Sequence, residues 1–304
     1  MKDTIVSLLT LAALSFPGCN SSTPENGTDT AYVADIQAWH QNRIERLKSE
    51  DGWLNLAGLY WLEQGNHTFG SDPSNDIVFP EGKAAKFLGT FLRKDSVVSV
   101  RINSNVDVTC NGERIREAPI FDGSQENRTV LKHRTLSWFV IERGSRLAIR
   151  LRDLDNPALA NFKGIEMYPI DSKWNVKAQL KPYEPPKTIS VPTVLGTIRE
   201  QPSPGRLEFK IDDHRYSLDA ISEESDGRLF IIFADKTTGG ETYGGGRFLY
   251  ADKLDGEEQT YSLDFNKAYN PPCAFSAFST CPLPPDQNKL PVAITAGEKK
   301  YDHE

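Results

Sequence analysis

Residues 97–112 read VVSVRINSNVDVTCNG. Two short apolar runs, Val97–Ile102 and Val106–Cys110, are separated by Asn103-Ser104-Asn105 and closed by Asn111-Gly112. Asn and Gly both tolerate positive φ, so the closing pair is a tight hairpin signal. Comparable runs recur at Leu54–Trp61, Ile77–Phe79, Leu136–Ile141 and Leu147–Leu151, with turn formers between them. Short strands at this spacing predict a sandwich or barrel. The stretch DLDNP, Asp153 to Pro157, interrupts the pattern.

Upstream the period is different. From Ala31 to Lys48 the apolar residues Val33, Ile36, Trp39, Ile44 and Leu47 fall at three-, four- or five-residue steps. That spacing predicts one helix with most of them on a single face, ended by Asp51-Gly52. Downstream a second β segment is expected. The proline-rich stretch Lys181 to Pro192 reads as an extended crossing between parts. Leu207–Ile211 and Tyr216–Ile221 flank Asp212-Asp213-His214-Arg215, a hairpin pattern. Leu229–Phe233 (LFIIF) is continuously apolar and is expected to be a central strand buried on both faces. Asp235–Arg247 and Asn266–Leu290 are long and irregular, the kind of loop that carries function when it occurs in a compact domain.

The first 18 residues read as a signal peptide: Lys2, then an apolar run from Ile5 to Phe16 shorter than the roughly 20 residues needed to span a bilayer. Phe16-Pro17-Gly18-Cys19 resembles a bacterial lipobox at Gly18 and Cys19, whereas Phe16 and Pro17 depart from its usual residues. Lipidation of Cys19 is the expectation, with ordinary secretion and nearby cleavage as the alternative. Asn20–Thr30 (NSSTPENGTDT) is polar and suits a flexible tether. The net charge is -7 and stays so without residues 1–18, which hold one Lys and one Asp. So acidic a chain lacks the electrostatic footprint of a nucleic-acid binder, and no basic patch for anionic lipid is visible; a lipid anchor would hold the membrane unaided. The expected location is the cell envelope, facing the periplasm or the exterior. Cys110, Cys273 and Cys281 remain after Cys19. In an oxidising compartment Cys273 and Cys281 are disulfide candidates, leaving Cys110 over; a reactive thiolate or part of a metal site are the other readings of the pair.

Two family resemblances emerge. Phe69-Gly70-Ser71, Asn75-Asp76-Ile77-Val78 and Asn111-Gly112 resemble the forkhead-associated (FHA) fold, a β-sandwich that binds phosphothreonine. Ser71 stands where that family has its phosphate-binding Arg, and Lys83-Ala84-Ala85-Lys86 offers no Ser-x-x-His. The resemblance therefore implies the fold and argues against its usual ligand, because the charge-assisted contacts are missing. Over nearly the whole remaining chain, Asp51-Gly52-Trp53-Leu54, Thr242–Leu249 (TYGGGRFL), Leu263–Cys273 (LDFNKAYNPPC), Cys281–Pro285 and Ala296-Gly297-Glu298 resemble the bacterial domain-of-unknown-function family numbered 1684. That resemblance implies a shared architecture and no particular activity.

No Gly-x-Ser-x-Gly elbow, Ser-x-x-Lys, His-Glu-x-x-His or phosphate loop is present. The five histidines are scattered, so no metal site and no cofactor is expected. The candidate region is Asp235 to Glu298. Asp235 follows the apolar run, and Glu241, Tyr243 and Arg247 surround Gly244–Gly246, with Asp264 and Asn266 farther along. Three glycines permit close backbone approach to a ligand, or a sharp turn. Arg247 can clamp an anion bidentately, or can be tied up in a buried ion pair. The expected organisation is a signal peptide (1–18), a lipidated tether (19–30), a helix (31–50), a degenerate FHA-like sandwich (51–160) and a C-terminal β domain (161–304). The expected function is that of an envelope binding or interaction lipoprotein with a polar pocket in the C-terminal domain, taking a small anionic ligand. The alternative is a hydrolase or lyase acting on a small anionic or sugar-like substrate.

Overall fold

The computed structural model of the protein describes residues 29–124, 128–222 and 227–301. The signal segment, Cys19 and all but the end of the tether lie outside the described residues. The chain is mostly β, with one long N-terminal helix, a sandwich and a second β domain.

Helix α1, Thr30–Lys48, starts at Asp29, whose carboxylate accepts from the Ala31 N–H at 3.0 Å. Such an N-cap satisfies a donor that the helix itself leaves open. Its inward face is not the plain apolar stripe that spacing predicts: Ile36, Leu47 and Arg43 are buried, whereas Trp39 is half exposed.

The sandwich comprises β1 (Leu56–Leu62), β2 (Gly65–Gly70), β3 (Ile77–Val78), β4 (Gly89–Lys94), β5 (Val97–Ile102), β6 (Thr109–Cys110), β7 (Glu113–Arg114), β8 (Glu117–Phe121), β9 (Leu131–His133), β10 (Leu136–Arg143) and β11 (Arg146–Asp153). One sheet has the order β1-β11-β10-β9-β6-β7 and the other β3-β2-β4-β5-β8. Their inner faces share one core, in which Phe69 stacks on Phe91 at 4.0 Å and Trp138 meets Phe69 and Phe79 edge-on. Asn111 and Gly112 both adopt positive φ between β6 and β7, as a two-residue hairpin requires.

After the short helix α2 (Pro157–Asn161) come β12 (Asn175–Pro192), β13 (Ile198–Ile211), β14 (His214–Asp219), β15 (Ile221–Ser222), β16 (Leu229–Phe233), β17 (Arg247–Lys253) and β18 (Thr260–Asp264). They form one sheet in the order β14-β13-β12-β18-β17-β16-β15. The proline-rich stretch is part of β12 and not a crossing between parts. The β12–β13 ladder is interrupted between Pro182 and Lys187, where Pro185 and Pro186 sit, so those missing N–H donors cost no ladder bond. The β13–β14 turn is tighter than expected, with Asp212 and Asp213 at positive φ and His214 already paired with Ile211. Strand β16 is buried on both faces, Ile231 and Phe233 in the main core and Ile232 against Ile189 and Val191. It is nevertheless next to the sheet edge, shielded there by the two-residue β15.

Helix α1 is fastened to the C-terminal domain by a buried charge. Arg43 Nε donates to Glu298 Oε1 at 3.1 Å, and Arg43 Nη2 donates to the Asn270 carbonyl at 2.8 Å. Glu298 Oε2 accepts from the Asn270 N–H at 2.7 Å, and the side chain has no exposed surface. Leu47 and Leu54 pack with Phe162, Ile165 and Phe275 beside it. Removing one member of such a pair strands the other charge in the interior. Glu298→Ala is expected to lower the unfolding free energy by about 3–5 kcal/mol, read from the denaturant midpoint.

Candidate functional site

The six polar residues singled out in the C-terminal domain do not meet in one place. Asp235 and Arg247 form an ion pair at 2.7 Å with neither side chain exposed. Arg247 also donates to the carbonyls of Ile294, at 3.0 Å, and Ala296. Asp235 Oδ1 accepts from the Thr237 N–H and hydroxyl, both at 2.6 Å. Arg247 thus ties the 235–247 loop to the segment before Glu298, and its guanidinium faces the protein interior rather than a ligand. The glycines serve the same turn. Gly246 has φ +79°, and a Cβ there would lie 2.4 Å from Pro284 Cγ and 2.6 Å from the Phe233 carbonyl oxygen. Chain packing, not ligand approach, excludes a side chain at that position.

Asp264 and Asn266 form a second group, against α1. The Tyr32 hydroxyl donates to both Asp264 oxygens at 2.9 Å, and Asn266 Nδ2 donates to the Tyr32 oxygen at 2.9 Å. Burial first, and then the Asp264 carboxylate, push the Tyr32 hydroxyl pKa well up, so it remains a donor at neutral pH. Tyr243 packs half-buried beside Leu47 and Phe275, and burial raises its pKa too. Glu241 is exposed and lines a separate polar cavity of 620 Å³ with Lys163, Lys299 and Lys300. Cys273 and Cys281 are joined by a disulfide, with a Cα–Cα distance of 6.0 Å, and Cys110 is free.

Convergence occurs elsewhere. A cleft of 540 Å³ opens between α1 and the outer end of the C-terminal sheet. Three of the motifs quoted from the sequence end in it: Asp51-Gly52-Trp53, Phe248 with Tyr250 just beyond it, and Lys267, Tyr269 and Pro272. Helix α1 adds Trp39, Arg43 and Arg46. Gly52 is obligatory because a Cβ there would lie 2.2 Å from the Leu47 carbonyl oxygen, so the chain turns under the helix end only without a side chain.

Aromatic rings pave the floor. Tyr250 and Tyr269 are nearly parallel, 15° apart with centres at 6.3 Å, and Phe230 lies 5.1 Å from Tyr250. Trp39 flanks Tyr269 at 6.4 Å, and the Arg43 guanidinium sits 4.6 Å from the centre of the Tyr269 ring. The rim is charged: Arg46, Arg228 and Asp252 are exposed, and Lys267 reaches Asp35 at 3.2 Å. Asp51 is held below the usual carboxylate range, chiefly by the Ser49 hydroxyl at 2.7 Å. A volume of several hundred Å³, apolar walls and a few charged groups are the usual make-up of a small-molecule site. Sequence reasoning passed over these residues because Trp39 fits the apolar stripe of the helix, and a tyrosine in a β domain, such as Tyr250 or Tyr269, fits a packed core as readily as a cleft.

Residues 160–299 match the family described as protein of unknown function (DUF1684), and the chain belongs to this family through that region. Asp51–Leu54, quoted for the same resemblance, falls before the matched residues. A solution NMR structure of an uncharacterized protein from Haloarcula marismortui is 34% identical, the match covering 47% of this chain and 80% of that one at a TM-score of 0.38. The FhaA FHA domain, solved in complex with another protein's intracellular domain, is 15% identical over 31% of this chain and 97% of its own, with a TM-score of 0.21. An FHA domain from a study of phosphothreonine-dependent interactions is also 15% identical, over 31% of this chain and 92% of its own, with a TM-score of 0.21. No curated protein matches the chain.

The geometry separates the Arg247 node from the cleft. Arg247→Lys keeps the charge but loses the planar fork that reaches Asp235 and two carbonyls together. It is expected to lower stability by about 1–3 kcal/mol in denaturant unfolding while leaving ligand affinity at the cleft within twofold.

Proposed function

We propose that the protein is a cell-envelope lipoprotein, anchored through Cys19, that binds a small anionic ligand bearing a flat ring in the cleft between α1 and the C-terminal sheet. The observation that carries the reading is the juxtaposition of the parallel Tyr250 and Tyr269 rings with the basic residues Arg46 and Lys267 on one cleft. A ring can stack on the tyrosines, and an anionic substituent can meet the cations at the rim. A flat conjugated ring fits such an aromatic face, so the ligand class is defined by flat ring plus anion. No helix among the described residues is long and apolar enough to cross a membrane.

The binding reading has more support than the hydrolase or lyase reading. General acid catalysis by a carboxyl group at neutral pH needs a raised pKa. Asp51, a carboxylate of the cleft, is shifted downward.

Two measurements follow. A panel of small anions with and without a ring is screened by thermal shift against the mature protein. Ring-bearing anions are expected to stabilise it, and Tyr250→Ala to weaken the best of them at least tenfold, about 1.4 kcal/mol. Equal stabilisation by ringless anions, or an unchanged affinity in Tyr250→Ala, removes the cleft from consideration. Separately, Cys19→Ala is expected to move the protein from the membrane to the soluble envelope fraction. Its retention in membranes contradicts the lipid anchor.

A further inference from the structure

The outer face of the β10–β11 ladder carries an unusual group of cations. Strand periodicity points Leu147, Ile149 and Leu151 into the sandwich core and turns Arg150 and Arg152 to the opposite side. Arg143, at the end of β10, joins them around a cavity of 140 Å³, and the exposed Arg128 lies over the Phe139 ring at 4.4 Å. Arg150 and Arg152 are only 4% and 9% exposed. None of these four arginines makes an ion pair among the described residues.

Among the described residues, their hydrogen bonds go to neutral groups. Arg150 Nη2 donates to the Phe278 carbonyl at 3.4 Å, and Arg143 Nε donates to the Thr280 hydroxyl at 2.8 Å. Arg152 Nη2 donates to the Asp51 carbonyl at 2.5 Å, and Arg143 Nη1 donates to the Glu142 carbonyl at 2.6 Å. The Nε atoms of Arg150 and Arg152 are buried without a partner among the described residues. Among the described residues, Glu142 lines the cavity and the Asp51 carboxylate acts on Arg152 from a distance. Burial first, then Arg143, Arg152 and Arg128, pull the Arg150 guanidinium down to about 10. Like charges gathered out of water are unfavourable unless a counter-charge joins them.

We infer that this cavity, lined by Arg128, Arg143, Arg150 and Arg152, is a binding site for a small oxyanion of the size of phosphate or sulfate. Guanidinium groups offer paired N–H donors that match such an anion, and the two unpartnered Nε atoms are donors available to it. The volume has room for one tetrahedral group and not for a peptide or a nucleotide. The bound anion would lie on the outer face of the β10–β11 ladder, beside the arginines that reach Phe278 and Thr280 of the C-terminal domain. This site is separate from the aromatic cleft, although Trp53 lines both.

The test is the melting temperature of the mature protein titrated with inorganic phosphate or sulfate, with chloride replaced so that ionic strength stays constant. Such salts stabilise any protein through exclusion from its surface, without saturation. The expected result is a rise of several degrees that saturates in the millimolar range and is absent in Arg150→Met. Should Arg150→Met fail to fold, Arg143→Gln is half-buried and mild, and is expected to shift the saturation midpoint at least fivefold. A non-saturating rise, or a rise identical in wild type and variant, overturns the site.

Discussion

The Arg43–Glu298 ion pair is the contact on which the arrangement of the molecule turns. Helix propensity and a partial apolar stripe can form α1, but they do not determine where it docks. A buried guanidinium does, because it must find its carboxylate and the Asn270 carbonyl or remain uncompensated. Once Arg43 is seated against Glu298, Trp39 and Arg46 project into the cleft and the chain must turn beneath the helix end at Gly52. One cleft wall therefore comes from residues about 200 positions from the others in sequence, as the Arg43–Asn270 separation of 227 shows.

Much of the architecture was legible because local chemistry agrees with the fold. Asn111-Gly112 and Asp212-Asp213 mark their hairpins by tolerance of positive φ. Leu229–Phe233 shows its double burial by composition. Strands β2 and β4 were less visible, since GNHTFG and GTFLRK mix glycine, polar and charged residues on half-exposed strands. The prolines of β12 were misleading for a definite reason: proline argues against a ladder only where a donor is needed, and here the ladder is interrupted beside them.

The site was harder to read. A dense run of Asp, Glu, Tyr, Gly and Arg is produced equally by a ligand pocket and by a network that pins long loops. Here the polar residues of 235–247 pin loops, through Arg247 and Asp235, while Asp264 and Asn266 receive Tyr32 from the helix. The cleft residues, by contrast, look like core in sequence: Trp39, Tyr250 and Tyr269 are distinguished from packed aromatics only by remaining half exposed. An acidic chain with net charge -7 nevertheless presents cations at the cleft rim and an arginine group inside the domain boundary. Local fields of opposite sign to the overall charge concentrate anions where low-dielectric walls focus them.

The central claim is that the aromatic cleft binds a small ring-bearing anion. Native mass spectrometry tests it directly, on the protein purified gently from the cells that produce it and kept in contact with their extract. The account predicts a wild-type species heavier than the polypeptide by one small organic anion containing a ring, and loss of that extra mass when Trp39 is replaced by Ala. A wild-type mass without any ring-bearing anion under those conditions, or an identical adduct in Trp39→Ala, would contradict it.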